Sequence, residues 1–190
     1  MLVATALIAV PAFSRPDIRF IWNASASVPV GLYRIVPATR IEVTDLAVVM
    51  PPNALAGFLD ERGYLPRGVP LIKRVLALAG TEVCLSGSTV LAYGAAYGQI
   101  RERDARGRLL PHWKGCWRLR EGEAFFMNWD SPDSLDSRYF GPLSLSTVIG
   151  RAIPLWTDED GDGRFQWRAD ALTHRTNHDQ KEKRNAREDL

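Results

Sequence analysis

Seven short apolar runs, Gly31 to Val36, Leu46 to Met50, Leu71 to Ala79, Thr81 to Leu85, Thr89 to Tyr93, Glu123 to Asn128 and Val148 to Trp156, are separated by clusters of Pro, Gly, Asp and Ser. Runs of that length between turn residues read as strands, and strands joined by short turns pair antiparallel. The chain is therefore expected to be mainly β, an antiparallel sheet or barrel. One helix is expected after Pro51-Pro52, with Asn53 as its cap, Leu55, Phe58 and Leu59 on one face and Gly63 at its end. With 190 residues, 46% of them hydrophobic, the chain can bury one substantial core.

The ends differ from this middle. Leu2 to Phe13 is an apolar run broken only by Thr5 and Pro11. As a helix it reaches about 18 Å, short of the roughly 30 Å of a bilayer core. A shortened anchor, a signal remnant and a core element all fit it, and Phe20-Ile21-Trp22 suits a membrane–water interface. From Thr173 to Leu190 nearly every residue is polar or charged, too few apolar groups to fold alone. The expected organisation is an N-terminal apolar segment over 1–22, a main domain over 23–156 with a polar flap or subdomain at 94–116, and a polar, disordered tail over 157–190. Cys84 and Cys116, the two cysteines of the chain, would close one disulfide if the domain is exported.

Charge names no partner, because 24 basic residues nearly match 22 acidic ones. Arg101, Arg103, Arg106 and Arg108, with Trp113 and Trp117, have the makings of a single-strand-binding strip, but Glu102, Asp104, Glu121 and Glu123 interrupt it. No nucleic-acid partner is expected. Asp158-Glu159-Asp160-Gly161-Asp162-Gly163 starts like a calcium loop, yet its twelfth position is Ala169 where a bidentate Glu is needed, so a solvated acidic turn is the expectation. His112, His174 and His178 are scattered, and neither a metal nor another cofactor is expected.

Chemistry is concentrated in three places. Lys73 interrupts the apolar run Leu71 to Leu78, where two-residue alternation puts Leu71, Val75 and Ala77 on its face. Burial among such groups disfavours the ammonium, which is how a lysine becomes a proton acceptor. Ser27 is the candidate nucleophile, with its own backbone N–H and the hydroxyl of Ser25 as candidate oxyanion donors. Pro29 stiffens the exit of that turn, and Gly31 leaves room for a substrate backbone. The third place, Asp133 to Gly141, contains Ser134, Asp136 and Arg138, a hydroxyl, a carboxylate and a guanidinium close together.

In this order the three blocks resemble the signal peptidase I family, and in particular its TraF-type branch from conjugative transfer systems. Asn23-Ala24-Ser25-Ala26-Ser27-Val28-Pro29-Val30-Gly31-Leu32-Tyr33 carries most of the resemblance, and a single residue between Ser27 and Pro29 is the spacing of that branch. Asn128-Trp129-Asp130-Ser131-Pro132 departs from the Gly-Asp-Asn-Arg run of general signal peptidases. The resemblance implies a signal-peptidase-like antiparallel β catalytic domain with one or two short helices. It implies Ser27 as nucleophile, Lys73 as general base, Ser25 in the oxyanion hole, Ser134 bonded to the lysine amine, and Asp136 and Arg138 as supports. It also implies a prepilin or other membrane-inserted precursor as partner, action at the periplasmic face of the cytoplasmic membrane or in the periplasm, and either hydrolysis or closure of the pilin into a ring. General processing of secretory preproteins, and a non-enzymatic assembly or single-strand-binding role, are the competing expectations.

Overall fold

The computed structural model describes residues 19–167. The expectations for the apolar run Leu2 to Phe13 and for the tail beyond Trp167 lie outside the described residues. Twelve strands are seen among the described residues: β1 (Phe20–Asn23), β2 (Val30–Val36), β3 (Leu46–Val49), β4 (Leu71–Leu78), β5 (Glu82–Ser86), β6 (Thr89–Ala92), β7 (Ala95–Gln99), β8 (Gly115–Arg118), β9 (Glu123–Phe126), β10 (Leu143–Ser144), β11 (Val148–Asp158) and β12 (Gln166–Trp167). They form an eight-stranded sheet in the order β1-β2-β11-β3-β4-β9-β10, with β12 on β11, and a four-stranded sheet in the order β7-β6-β5-β8. Every pairing is antiparallel. The protein is mainly β, as its turn-punctuated runs require.

The near-continuous apolar text of β3, β4 and β9 follows from burial on both faces. Leu46, Val48 and Ile72 face one cluster with Val28 and Tyr33, while Ala47, Val49 and Val75 face another with Ala124 and Phe126. Phe125, next to Phe126, turns the other way and packs with Val83, Leu85 and Val90 of the second sheet. Each such aromatic stabilises the fold by about 1.5 to 3 kcal/mol through burial. The β4–β9 ladder shifts register between Val75 and Ala77. That shift breaks the alternation expected from sequence: Ala77 joins Leu76 in the second-sheet cluster and does not share a face with Val75.

Helix α1 (Asn53–Glu61) lies one residue earlier than its cap signal suggested, since Pro52 is the N-cap and no side chain caps the helix. The loop between β7 and β8 packs on it. Arg62 donates to the Leu109 carbonyl at 2.6 Å, Arg108 donates to the Arg62 carbonyl at 3.0 Å, and the Tyr64 hydroxyl and Arg108 both donate to the Asp104 carboxylate. These bonds hold Asp104 well below the usual carboxylate range, with the Tyr64 contact the largest cause. Segment 94–116 thus includes β7, this docked loop and the first two residues of β8. Cys84 of β5 and Cys116 of β8 stand directly opposite one another and are bonded. Closing a loop of 32 residues contributes about 3 to 4 kcal/mol on the chain-entropy account.

β11 runs two residues past Trp156, and residues 159–165 turn back so that Trp167 pairs with Trp156. The acidic run forms that turn: Asp158, buried, accepts the N–H groups of Asp162 and Gly163 at 3.1 and 2.9 Å. Gly31 has φ of +148°, and a Cβ there would meet the Trp156 carbonyl oxygen at 2.2 Å. Its smallness therefore serves the close approach of β2 to β11, in place of the substrate contact expected from sequence. Gly31→Ala is expected to destabilise the domain by more than about 2 kcal/mol, read as a lower urea midpoint at unchanged slope.

Candidate active site

The turn between β1 and β2 is folded by Asn23. Its amide donates to the carbonyls of Ser25, Val28 and Pro29 at 2.7, 3.1 and 3.1 Å, and its side-chain oxygen accepts the Ser25 N–H at 3.2 Å. This is the local asparagine chemistry that competes with regular structure and makes turns. The Tyr33 hydroxyl, buried on β2, donates to the Pro29 carbonyl at 2.6 Å. Burial first, and the nearby Glu159 carboxylate second, push that phenol far above its ordinary value. It stays a donor.

Ser27 rides on this turn. Its Oγ lies 2.9 Å from Ser25 Oγ and 3.4 Å from Lys73 Nζ. Lys73 Nζ is 2.8 Å from Ser134 Oγ on its other side. Three segments far apart in sequence thus place a hydroxyl, an amine and a hydroxyl in succession. Lys73 is 5% exposed. Burial pulls its amine from 10.5 down to about 8, with Asp136 opposing the change and Arg138 adding to it. Beside Ser27 opens a cleft of about 270 Å³ lined by Val28, Pro29, Arg74, Asn128, Asp130 and Glu159 among others. The Arg74 guanidinium lies over the Trp129 ring, 5.6 Å from its centre.

Behind Ser134 the chain makes one turn, α2 (Ser137–Phe140), capped by Asp136, whose carboxylate accepts the Arg138 N–H at 3.1 Å. The same carboxylate accepts from the Arg138 side chain at 2.8 and 3.1 Å and from the Asn128 N–H at 3.1 Å. Arg138 is wholly buried and donates further to the carbonyls of Asn128, Ser131 and Gln99 at 2.7, 3.1 and 3.5 Å. Ser137 Oγ accepts the Phe126 N–H at 3.0 Å, fastening the turn to β9.

Six of the residues singled out from sequence, Ser25, Ser27, Lys73, Ser134, Asp136 and Arg138, belong to this one neighbourhood, whereas Cys84 and Cys116 lie in the second sheet. Sequence reasoning missed Asn23, Asn128 and Ser137. Asn23 was readable as a turn former one residue after an apolar stretch. Asn128 and Ser137 carried no local signal, because their partners are 54 and 11 residues away.

A mainly β domain with a serine hydroxyl, a buried amine and a second serine in line has the makings of a β-rich peptidase. The chain belongs to the signal peptidase family: residues 1–156 match the family described as Signal peptidase, peptidase S26. It is similar to the Conjugal transfer protein TraF of Agrobacterium fabrum, 33% identical over 146 residues that make 71% of this chain and 81% of the relative. It is equally similar to a Plasmid transfer protein TraF of Escherichia coli, 33% identical over 146 residues with the same shares. A signal peptidase I structure from Enterococcus faecalis V583 superposes over 60% of this chain and 97% of that one, at 20% identity and a TM-score of 0.37.

The depressed Lys73 amine has a cost in stability. Below pH 8 the folded state must keep an ammonium where burial disfavours it, whereas the unfolded chain keeps its proton up to about 10.5. Between those values the unfolded state binds more protons, so folding stability rises with pH. Lys73→Met is expected to be the more stable protein at pH 7 by up to about 3 kcal/mol and to lose that alkaline gain, as measured by urea unfolding from neutral to alkaline pH.

Proposed function

We propose that this chain is a serine endopeptidase of a conjugation apparatus, in which Ser27 is the nucleophile and Lys73 the general base, and that its substrate is a membrane-inserted precursor, a prepilin. The observation that carries this reading is the Lys73 amine, buried and held between the hydroxyls of Ser27 and Ser134. At neutral pH an amine with a value near 8 is unprotonated in about one molecule in ten, enough to serve as a base that regains its ammonium form during the reaction.

In the first half-reaction Ser27 Oγ attacks the scissile carbonyl carbon while its proton passes to Lys73 Nζ. The oxyanion is met by the Ser27 N–H and the Ser25 hydroxyl, which turns from its present contact with Ser27 Oγ. The C–N bond then breaks, the leaving amine takes the proton from Lys73, and an acyl-enzyme remains. Ser134 accepts from the lysine and keeps its lone pair directed at Ser27. Water, deprotonated by Lys73, attacks the ester carbonyl, the bond to Ser27 Oγ breaks and Oγ takes the proton back from Lys73, releasing a linear product. The free amine of the same precursor, attacking there instead and losing its proton by the same route, releases a ring and saves one water. Asp136 and Arg138 support the loop that carries Ser134.

A place at the membrane surface fits the outer side of the large sheet. Phe20, Trp22 and Trp167 are exposed there at 55, 50 and 71%. Trp156 and Phe165 extend the group, with Trp22, Trp156 and Trp167 in ring contact. Exposed Arg19 and Arg34 stand beside Phe20. Tryptophans with flanking cations suit the headgroup layer, and the apolar run Leu2 to Phe13 leads into β1. Among the described residues no helix is long and apolar enough to cross a membrane.

Two outcomes test the proposal. Ser27→Ala and Lys73→Ala, co-expressed with the pilin precursor, are expected to leave it uncut while remaining folded; with the unaltered enzyme, mass spectrometry of the product reads a linear chain or one lighter by a single water. Normal processing by either variant overturns the dyad. Replacing Trp22 and Trp167 together by Ala is expected to lower sedimentation of the protein with anionic phospholipid vesicles several-fold, while circular dichroism stays unchanged.

A further inference from the structure

Lys73 stands where one neighbour of β4 gives out. β9 accompanies β4 as far as Phe126, and the Met127 N–H still donates to the Arg74 carbonyl at 2.8 Å. The chain then leaves the sheet to form the loop that brings Ser134 and Asp136. Two β4 groups on that edge, the Arg74 N–H and the Ile72 carbonyl, would be left without backbone partners, at a cost of about 1 to 3 kcal/mol for each buried group. One side chain takes both. Asn128 Oδ1 accepts the Arg74 N–H at 2.8 Å, and Asn128 Nδ2 donates to the Ile72 carbonyl at 3.2 Å.

A primary amide carries the same C=O and N–H as a peptide group, so Asn128 adds one rung to the ladder without adding a strand. The two groups it grips flank Lys73. Its own backbone faces inward: the N–H donates to Asp136 and the carbonyl accepts from Arg138, at 3.1 and 2.7 Å. At 2% exposure, Asn128 has all four of its polar groups engaged.

We propose that Asn128 is a positioning residue for the base: its amide clamps the peptide groups on both sides of Lys73 and ties them to the buried Asp136–Arg138 pair. Nζ is thereby kept in line between Ser27 and Ser134 where the sheet opens into the cleft. The inference rests on the Ser27–Lys73 reading above.

The test uses the full chain and a membrane-inserted precursor peptide with alanine before the scissile bond, assayed across about pH 6 to 10, the range that brackets the base. N128A loses both grips. Its kcat is expected to fall about 10- to 100-fold with KM nearly unchanged, the effect of a loosened reacting geometry and not of a lost substrate contact, and exchange of the Arg74 amide hydrogen is expected to speed up. N128D keeps the acceptor for the Arg74 N–H but sets a carboxylate against the Ile72 carbonyl and adds an anion near the amine. Its kcat is expected to fall and the midpoint of its pH–rate profile to rise, since the anion favours the ammonium.

Wild-type kcat and midpoint in both variants overturn the proposal. So does a kcat loss that merely tracks the unfolded fraction while the N128D midpoint stays in place. Should N128A fail to fold, N128D decides by the same two readings. Ser27→Ala serves as the control: if it still cleaves, the dyad is wrong; if it is dead while both Asn128 variants behave as wild type, only the clamp is wrong.

Discussion

A guanidinium with no exposed surface organises this molecule. Arginine stays charged at any pH a protein meets, so every direction in which Arg138 points must offer an acceptor. Asp136 meets it side-on with both oxygens, and three backbone carbonyls complete the set, two from the loop after β9 and one from Gln99 at the end of β7. The second sheet is thereby drawn against the loop that holds Ser134. Gly98, near the Arg138 side chain at the end of β7, has a φ of +148°, a backbone that residues with a Cβ rarely adopt. Buried ion pairs contribute little net stability after desolvation. Here the pair sets which segments meet, and at what distance.

The same pair also acts on Lys73, behind a larger effect of burial. Asp136 draws the neighbouring amine back toward its charged form and Arg138 presses it further down, and burial outweighs either of them. The amine is thus tuned chiefly by what excludes water from it. The clustering of Leu71, Val75, Ala47 and Phe126 along β3, β4 and β9 is as much a part of the proposed chemistry as the serines are.

Much of this was legible in the sequence. The strand runs of β2 through β6, β9 and β11 are marked by apolar text between turn residues, and the environment of Lys73 follows from its own flanks. The union of Ser27, Lys73 and Ser134 came through resemblance, since no spacing rule joins residues 46 and 61 positions apart. What stayed hidden depends on long-range pairing. β7 and β8 are exposed, polar or small-residue strands that exist because β6 and β5 offer them edges. β12 is two residues held by aromatic contact with Trp156. The displaced Ala77 follows from a register shift that alternation alone cannot reveal, and Asn128 from a ladder rung made by a side chain.

Gly31 carries a wider implication. Where β2 passes β11 just beyond the Ser27 turn, the spacing is set by main-chain atoms in contact, with no side chain between them. Neighbouring positions on the outer side of β2, such as Leu32 and Arg34, are therefore released from holding the Ser27 turn in place. Evolution can redraw that outward surface while the Ser27 hydroxyl keeps its seat.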